Sequence, residues 1–333
     1  MGNNKRDYNI DLLKNIAIYL VIILHTMIIG FLSEKANVST VLYYAGVFAI
    51  PLFFMISGYL HLQKENNYKY VLKKILKIIL IAFFWNLIAC LYLLLVEHKI
   101  TNVFILTLKS FIQNGYFFHF WFLGAIIILY IMLPSLQKLI KKYKNTYKIM
   151  IIILFVLCIN IDIINIYLNH KGYGTIKNNT IQTFRIWTWS LYYMLGGIMT
   201  KVNIKDIKKK KLYTITIIMT IITIIYSRLL SIPLYSNIYA ENFYDSAIVI
   251  ITTTLIFISI KSLNIKKEYY SNLLQYSMGI YILHPFLINI LIKLNLLNNS
   301  CINILWSIII LLISGLITYL LSRIPLINKT IKI

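Results

Sequence analysis

The chain has 333 residues, of which 59% are hydrophobic and 13% are charged, whereas a soluble domain averages about 25% charged residues. This composition excludes an ordinary soluble domain and predicts an all-α polytopic membrane protein, with residues 1–333 forming a single transmembrane domain. The net charge of +23 would suit a nucleic-acid partner, but the basic residues stand in short clusters between apolar runs, as topology signals do, and this excludes that class of partner.

Ten apolar stretches come near the length of about 17–25 residues that a helix needs to cross a bilayer. In chain order they lie at 11–32, 40–62, 75–96, 119–137, 148–168, 185–200, 212–230, 246–262, 273–293 and 302–322. The sixth is short and the eighth is marginal in length. The first carries ionisable residues and lacks a small-residue cleavage site, so we expect a retained span there and not a signal peptide.

The basic residues give these spans an orientation. With the N-terminus in the cytoplasm, all but eight of the 33 lysines and arginines fall in cytoplasmic regions, and every cytoplasmic connection is richer in them than its external neighbours. The eight others are Lys35, Lys99, Lys109, Lys171, Lys177, Arg185, Arg228 and Lys293. This asymmetry predicts that both termini are cytoplasmic. The external segment near 97–118 is long, and Val103 to Ile112 predict a short helix lying at the membrane surface.

The first predicted span contains two ionisable residues on one helix face. Lys14 and His25 are eleven residues apart, which is close to three turns and about 16 Å along the helix axis. Lys14 would lie near the inner membrane surface, with Asp11 as a possible pairing partner, and His25 would lie inside the membrane. Ionisable residues within spans mark functional sites by default. The alternatives are a snorkelling lysine and a core histidine bonded to a neighbouring helix.

Three other regions carry polar residues that allow both a structural and a functional interpretation. Ser57-Gly58 in the second span permits close helix contact, and packing alone explains it. The aromatic run around His119 and Trp121 is either an interfacial belt or a platform for a sugar or acyl group, with His119 as its polar handle. Arg185 stands at an external span end, where it either anchors its helix or binds an anionic carrier or glycan.

The ninth span places a second histidine on a polar face. Ser277, Tyr281 and His284 follow the spacing i, i+4 and i+7 and therefore share one face of a helix. A polar face inside an apolar helix must meet other polar groups or water. A neutral histidine is the side chain best suited to accept a proton from a hydroxyl near neutral pH. His25 and His284 are therefore the candidate bases.

Taken together, these motifs resemble the membrane acyltransferase-3 family, the integral membrane O-acyltransferases that act on bacterial cell-surface glycans. The family has a basic residue and a histidine separated by ten residues in its first span, as Lys14 and His25 are. Further elements match in family order: Phe53, Phe54, Ser57 and Gly58; Trp121, Phe122, Leu123, Tyr130 and Pro134; Tyr193, Gly196 and Gly197; and Ser277, Gly279, Tyr281 and His284. The chain departs from the family in having Lys14 where arginine is commoner and no acidic residue after Leu123.

The resemblance implies an enzyme that transfers an acyl group, acetyl before others, from acetyl-CoA or another acyl-CoA to a hydroxyl of a surface or lipid-linked polysaccharide. It implies a bacterial plasma-membrane location and no metal. The expected catalytic residues are His25 and His284, and the expected acyl-CoA site is Lys14, Lys73 and Lys74. The expected substrate-binding residues are Ser57, His119, Trp121, Arg185, Ser277 and Tyr281.

Two other functions stay open on the sequence alone. A polysaccharide or small-molecule transporter would also have about ten spans with polar residues inside them, although the inverted repeat typical of transporters is not recognisable here. A membrane sensor or assembly subunit would not need Lys14 and His25 together. The three cysteines, Cys90, Cys158 and Cys301, include no CxxC pair, so we expect neither a disulfide framework nor a zinc site.

Overall fold

The computed structural model describes residues 7–33, 38–62, 66–143, 145–203, 207–263, 265, 276–297 and 300–331, with the backbone alone for 30–33, 38–40, 300 and 301. Within these ranges every regular element is a helix. Some predictions concern residues outside the described ones: those for Lys5, Arg6, Lys35, Lys64, Lys144, Lys205, Lys266, Lys267 and Lys332, for 273–275, and for the side chain of Cys301.

Fourteen α-helices follow one another along the described chain. They are α1 (Tyr8–Ser33), α2 (Val38–Ala45), α3 (Ala49–His61), α4 (Tyr68–Val96), α5 (Val103–Phe111), α6 (Trp121–Lys142), α7 (Thr146–His170), α8 (Ile176–Asn179), α9 (Ile186–Ile198), α10 (Lys209–Tyr235), α11 (Ala247–Lys261), α12 (Ser277–Lys293), α13 (Ser300–Leu321) and α14 (Pro325–Asn328). Short 3-10 turns join α2 to α3 at Gly46–Phe48 and lead into α6 at Phe118–Phe120.

In its described part, each of the ten predicted spans falls on one or two helices, and the all-α polytopic architecture is confirmed. In the described chain, seven segments are long and apolar enough to cross a membrane, and α11 and α12 are shorter apolar helices. Helix α9 has 13 residues, or about 20 Å, which is less than the hydrocarbon thickness of about 30 Å. It is enclosed by protein, since Trp189, Leu191 and Tyr192 are fully buried. The number of crossings and the side of the termini stay predictions.

The connection after α4 contains the short helix that the sequence predicts, α5. Asn102 caps it, because its side-chain oxygen accepts hydrogen bonds from the backbone N–H groups of Phe104 at 2.9 Å and Ile105 at 3.2 Å. An asparagine cap satisfies donors that the first turn of a helix leaves open. Asn67 caps α4 in the same way through the N–H of Tyr70 at 2.8 Å. The local sequence therefore sets where both helices begin.

One end of the bundle gathers lysine-rich segments. Asn9, at the start of α1, donates through Nδ2 to the carbonyl oxygen of Lys261, at the end of α11, at 3.1 Å. Gln137, near the end of α6, donates through Nε2 to the carbonyl oxygen of Leu62, just after α3, at 2.9 Å. These contacts join the start of the first predicted span to the end of the eighth and the end of the fourth to the end of the second, and we call this end of the bundle the lysine-rich end.

The opposite end of the bundle contains a buried ion cluster. The Nζ of Lys177, in α8, lies 2.6 Å from Asp162 Oδ1 of α7 and 3.6 Å from Asp245 Oδ2, just before α11. Lys177 also donates to the carbonyl oxygen of Asn242 at 2.6 Å, and the Tyr235 hydroxyl donates to Asp162 Oδ1 at 2.7 Å. Sequence analysis treated Lys177 only as an external charge. The cluster ties the connections at this end to α7, α10 and α11.

Helices α3 and α9 approach each other at two glycines. A Cβ added to Gly58 of α3 would overlap the carbonyl oxygen of Tyr193, and a Cβ added to Gly196 of α9 would overlap that of Met55. Small residues permit such backbone contact between membrane helices. The packing role that the sequence assigns to Ser57-Gly58 is thus present, and it fixes where α3 lies beside the core.

Replacing Gly58 with alanine is expected to force α3 and α9 apart and to lower the midpoint of thermal unfolding by several degrees. Overpacking of a well-packed interior costs about 1–3 kcal/mol, and here the obstacle is backbone, which cannot rotate away. The measurement is size-exclusion chromatography of detergent-solubilised protein after heating. Gly174→Ala is the matched control, because its Cβ would meet only the Asn179 side chain, at 3.1 Å. Equal midpoints for the two variants would contradict this packing role.

Candidate active site

Three histidines from distant parts of the chain meet in the interior. His25 comes from α1, His284 from α12, and His119 from the 3-10 turn before α6. The ring centroids of His25 and His284 are 5.5 Å apart, and those of His119 and His284 are 5.6 Å apart. His119 and His284 are buried, and His25 is half-buried. We call these three residues the histidine cluster.

The hydrogen bonding of the cluster leaves ring nitrogens open to a substrate. His284 Nδ1 lies 3.1 Å from the carbonyl oxygen of Ile280, and because a carbonyl can only accept, Nδ1 carries the hydrogen. In the neutral ring, Nε2 then holds a lone pair. Among the described residues, Nε2 of His284 and both ring nitrogens of His119 are buried without a hydrogen-bond partner. Buried polar atoms in proteins are usually paired, so these three are candidates for substrate contact.

A cavity of about 230 Å³ opens beside the cluster, away from the lysine-rich end. Its polar lining comes from His25, His119 and Asn289, and most of the remaining wall is aromatic or aliphatic. The aromatic residues are Tyr116, Phe117, Phe118 and Phe286. We call it the histidine cavity. Asn289 was not identified by sequence analysis, although a polar residue within a predicted span is a usable signal.

A larger cavity, of about 560 Å³, lies at the lysine-rich end and is called the lysine cavity. It is lined by Lys14 of α1, Lys74 of α4, and the two predicted serines, Ser57 and Ser277. Lys14 Nζ is 3.5 Å from Asp11 Oδ1, as the sequence predicts. The Lys14 side chain is 32% exposed, so its charge is accessible from the cavity mouth. The helix rise between Lys14 and His25 thus separates them into two different cavities.

Tyr281 forms the wall between the two cavities. It lines the lysine cavity, while its ring centroid is 5.0 Å from that of His119 and 6.1 Å from that of His284. Its hydroxyl donates a hydrogen bond to the carbonyl oxygen of His119. The predicted polar face of α12 therefore bridges the molecule: Ser277 and Tyr281 face the lysine cavity, and His284 lies in the histidine cluster. Tyr281 on one side and His119 on the other therefore separate the two spaces.

Of the predicted site residues in the described chain, four line neither cavity. One of them, His284, lies in the histidine cluster, and the other three, Lys73, Trp121 and Arg185, lie elsewhere. Lys73 is exposed at the start of α4. The Trp121 ring centroid is 5.4 Å from that of Trp189. Arg185 is 3% exposed, and its guanidinium donates to the backbone carbonyl oxygen of Lys177 at 2.8 Å. Arg185 thus adjoins the ion cluster and not the histidines.

The arrangement can hold an anionic donor and a hydroxyl acceptor on two sides of a proton-accepting cluster. Lysine ammonium groups bind phosphates as point charges, and they are present in one cavity. Neutral histidine can act as a base or a nucleophile, and it is present in the other. Within the described ranges, no group of three or more His, Cys, Asp or Glu side chains is placed to hold a metal ion.

Comparison with known proteins places this geometry in a family. Searches of curated proteins and of solved structures gave no match. The model of the acyltransferase-3 family, described as an acyltransferase domain, matches residues 7–323. The match includes α1 to α13 and therefore every residue that lines the histidine cavity. The chain thus belongs to the acyltransferase-3 family and is a multi-pass membrane acyltransferase.

Proposed function

We propose that the protein is an O-acyltransferase of the bacterial plasma membrane. It takes an acyl group, acetyl in the simplest case, from cytoplasmic acyl-CoA and transfers it to a hydroxyl of a surface or lipid-linked polysaccharide. The observation that carries this proposal is the pair of cavities on the two sides of the contact between Tyr281 and His119, one lined by Lys14 and Lys74 and the other by His25 and His119. A transporter that carries no acyl group would have no need of this arrangement.

The donor side of the proposal uses the lysine cavity. Lys14 and Lys74 line it, and Lys73 is the exposed residue next to Lys74 on α4, so the phosphates of acyl-CoA meet several cations there. The volume of about 560 Å³ lies within the range of small-molecule sites, about 300–1,000 Å³. The positive-inside asymmetry of the sequence assigns this end to the cytoplasm, where acyl-CoA is made.

The chemical step takes place at the histidine cluster. The pantetheine arm extends past Tyr281, and the thioester carbonyl reaches the rings. His25 accepts the proton of the acceptor hydroxyl as the hydroxyl oxygen attacks that carbonyl. The new C–O bond forms, the C–S bond breaks, and the CoA thiolate leaves toward the lysine cavity and takes up the proton. His284, with Nδ1 fixed on Ile280, keeps its Nε2 lone pair beside His25, where it can share that proton.

The other predicted site residues contact the substrates or support the site during this step. The unpaired ring nitrogens of His119 hold the acceptor or the developing oxyanion, which is the kind of interaction that stabilises an acyl-transfer transition state. Ser57, Ser277 and Tyr281 line the path of the donor arm. Trp121 and Arg185 act from outside the cavities, as packing and anchoring groups.

Replacing Lys14 with glutamine is expected to raise the KM for acyl-CoA about tenfold with little change in kcat. A hydrogen bond to a charged group contributes about 1.5–3 kcal/mol, and Lys14 lines the donor cavity and not the histidine cavity. The measurement uses sealed inside-out membrane vesicles, labelled acetyl-CoA added outside, and counting of label in the glycan. Lys69→Gln is the matched control, because Lys69 is exposed on α4 away from the cavity wall.

Two results would contradict the proposal. The first is the same KM for Lys14→Gln and Lys69→Gln, which would remove the donor from the lysine cavity. The second is label in the glycan of right-side-out vesicles and not of inside-out ones, which would reverse the direction of transfer. Transport of the glycan without consumption of acetyl-CoA would favour the transporter.

A further inference from the structure

A second space continues the histidine cavity along α12. It has a volume of about 210 Å³ and lies between α4 and α12. It shares Tyr116, Phe286 and Asn289 with the histidine cavity, so the two spaces are direct neighbours. We call it the side groove. Its lining residues are Ile88, Ala89, Tyr92, Tyr116, Phe286, Asn289, Ile290 and Lys293.

Aromatic rings follow one another from the histidine cluster into the side groove. The Phe117 centroid is 5.6 Å from that of His119 and 5.3 Å from that of Phe286. The ring centroid of Phe286 is 5.4 Å from that of Tyr116, and the Tyr116 centroid is 5.8 Å from that of Tyr92. Aromatic rings present apolar faces and, in tyrosine, a polar edge. The C–H face of a pyranose packs on such rings while its hydroxyls need hydrogen-bonding groups, which Asn289 offers.

The far end of the side groove combines a cation with an opening toward lipid. Lys293 lies in the last turn of α12 and is exposed. Ile88 and Ile290, on the two helices that border the groove, are 36% and 52% exposed. Since α4 is long and apolar enough to cross a membrane, we expect the exposed isoleucines there to face acyl chains and not water. The groove therefore meets the bilayer sideways and ends at a positive charge.

The spacing along α12 sets what fits between the reacting centre and this charge. Asn289, at the border of the histidine cavity, and Lys293 are four residues apart on one face of α12, about 6 Å along the axis. His284 lies a further five residues back, about 13 Å from Lys293 along the axis and half a turn around it. A hexose and the phosphate attached to it occupy a length of this order. Free polysaccharide would need neither the cation nor the lateral opening, whereas an acceptor with a lipid tail needs both.

We propose that the side groove binds the acceptor as a sugar joined through phosphate to a polyprenyl lipid. The lipid lies in the bilayer between α4 and α12, the phosphate contacts Lys293, and the sugar packs on Tyr116 and Phe286 with Asn289 at its edge. A sugar hydroxyl then points toward His25. This assignment rests on the proposed function and narrows it, because it selects the lipid-linked acceptor over free polysaccharide.

Binding measurements on the whole protein test this assignment without acyl transfer. The protein is placed in phosphatidylcholine nanodiscs with three tritiated probes: farnesyl diphosphate N-acetylglucosamine, octyl N-acetylglucosaminide and farnesyl diphosphate. The first is expected to bind about tenfold or more tighter than either of the others. Lys293→Gln is expected to remove its advantage over the octyl glycoside. Asn289→Ala is expected to remove its advantage over farnesyl diphosphate.

The control is Lys171→Gln, because Lys171 is exposed at the same end of the bundle, where its ammonium lies 6.0 Å from the Tyr167 ring centroid. Unchanged binding in Lys293→Gln, or equal loss in Lys171→Gln, would overturn the assignment. Equal binding of farnesyl diphosphate with and without the sugar would show a general anionic-lipid site in its place. Probe binding involves no acyl transfer, so its outcome is independent of the mechanism. If the probes bind as expected while His25 variants keep full activity, the proposed mechanism is refuted and the assignment of the side groove is not.

Discussion

Replacing His25 with alanine is expected to lower the kcat for acyl transfer by about 10²–10⁴-fold, the usual contribution of a general base. The KM for acyl-CoA is expected to change little, because the phosphates bind in the lysine cavity, about three helical turns away along α1. The measurement is the rate of label transfer from acetyl-CoA to glycan, divided by the amount of folded protein. His25→Gln is the second variant, since it keeps a hydrogen-bonding group but cannot take the proton.

The controls separate a chemical role from a structural one. His170→Ala changes an exposed histidine at the end of α7 and is expected to leave kcat unchanged. His284→Gln is expected to lose activity too, and combining it with His25→Ala should add little, because residues that act in one step are not additive. Normal glycan acylation by His25→Gln at normal expression would end the assignment of His25 as the base.

Much of the architecture follows from the sequence because the bilayer interior offers no water to bond the backbone. Every backbone polar group must be bonded within its own segment in lipid, so a long apolar run has to be a helix. The same regularity makes spacing informative. Eleven residues between Lys14 and His25 put the two into different cavities, and the face shared by Ser277, Tyr281 and His284 lines one cavity and reaches the histidine cluster at its far end.

Contacts between helices could not be predicted in this way. Lipid tails and apolar side chains are alike, so hydrophobicity does not say which helices pack together. The approach of His119 to His284 depends on a 3-10 turn whose apolar surroundings in the sequence resemble an interfacial belt. The side groove depends on α4 lying beside α12, although Asn289 within a span was a usable signal for it.

The contacts within the ion cluster could not be predicted from the sequence either. The sequence places Arg185 at an external span end and Lys177 in an external connection, yet they are 3% and 2% exposed. The informative residue was Asp162, an acidic group inside an otherwise apolar run, because such a group requires a partner. The formal charges of Lys177 and Arg185 balance those of Asp162 and Asp245.

Replacing Lys177 with methionine is expected to destabilise the protein by about 3–5 kcal/mol, the cost of leaving a buried charge without its partner. The Asp162 and Asp245 side chains are 9% and 0% exposed, so water cannot replace the ammonium. The expected observations are a lower midpoint of thermal unfolding in detergent and faster proteolysis near α8. Lys171→Met, at an exposed lysine in the same connection, is expected to leave both unchanged.

Removing one ion pair as a whole separates charge from shape. The double variant Lys177→Met, Asp162→Asn removes one carboxylate together with the ammonium and leaves Arg185 and Asp245 with opposite charges. An asparagine oxygen at position 162 can still accept from the Tyr235 hydroxyl, which now bonds Asp162 Oδ1 at 2.7 Å. Replacing a buried ion pair as a whole is often nearly neutral, so the double variant should recover most of the lost stability. If it is no more stable than Lys177→Met, the cluster contributes through packing and not through its charges.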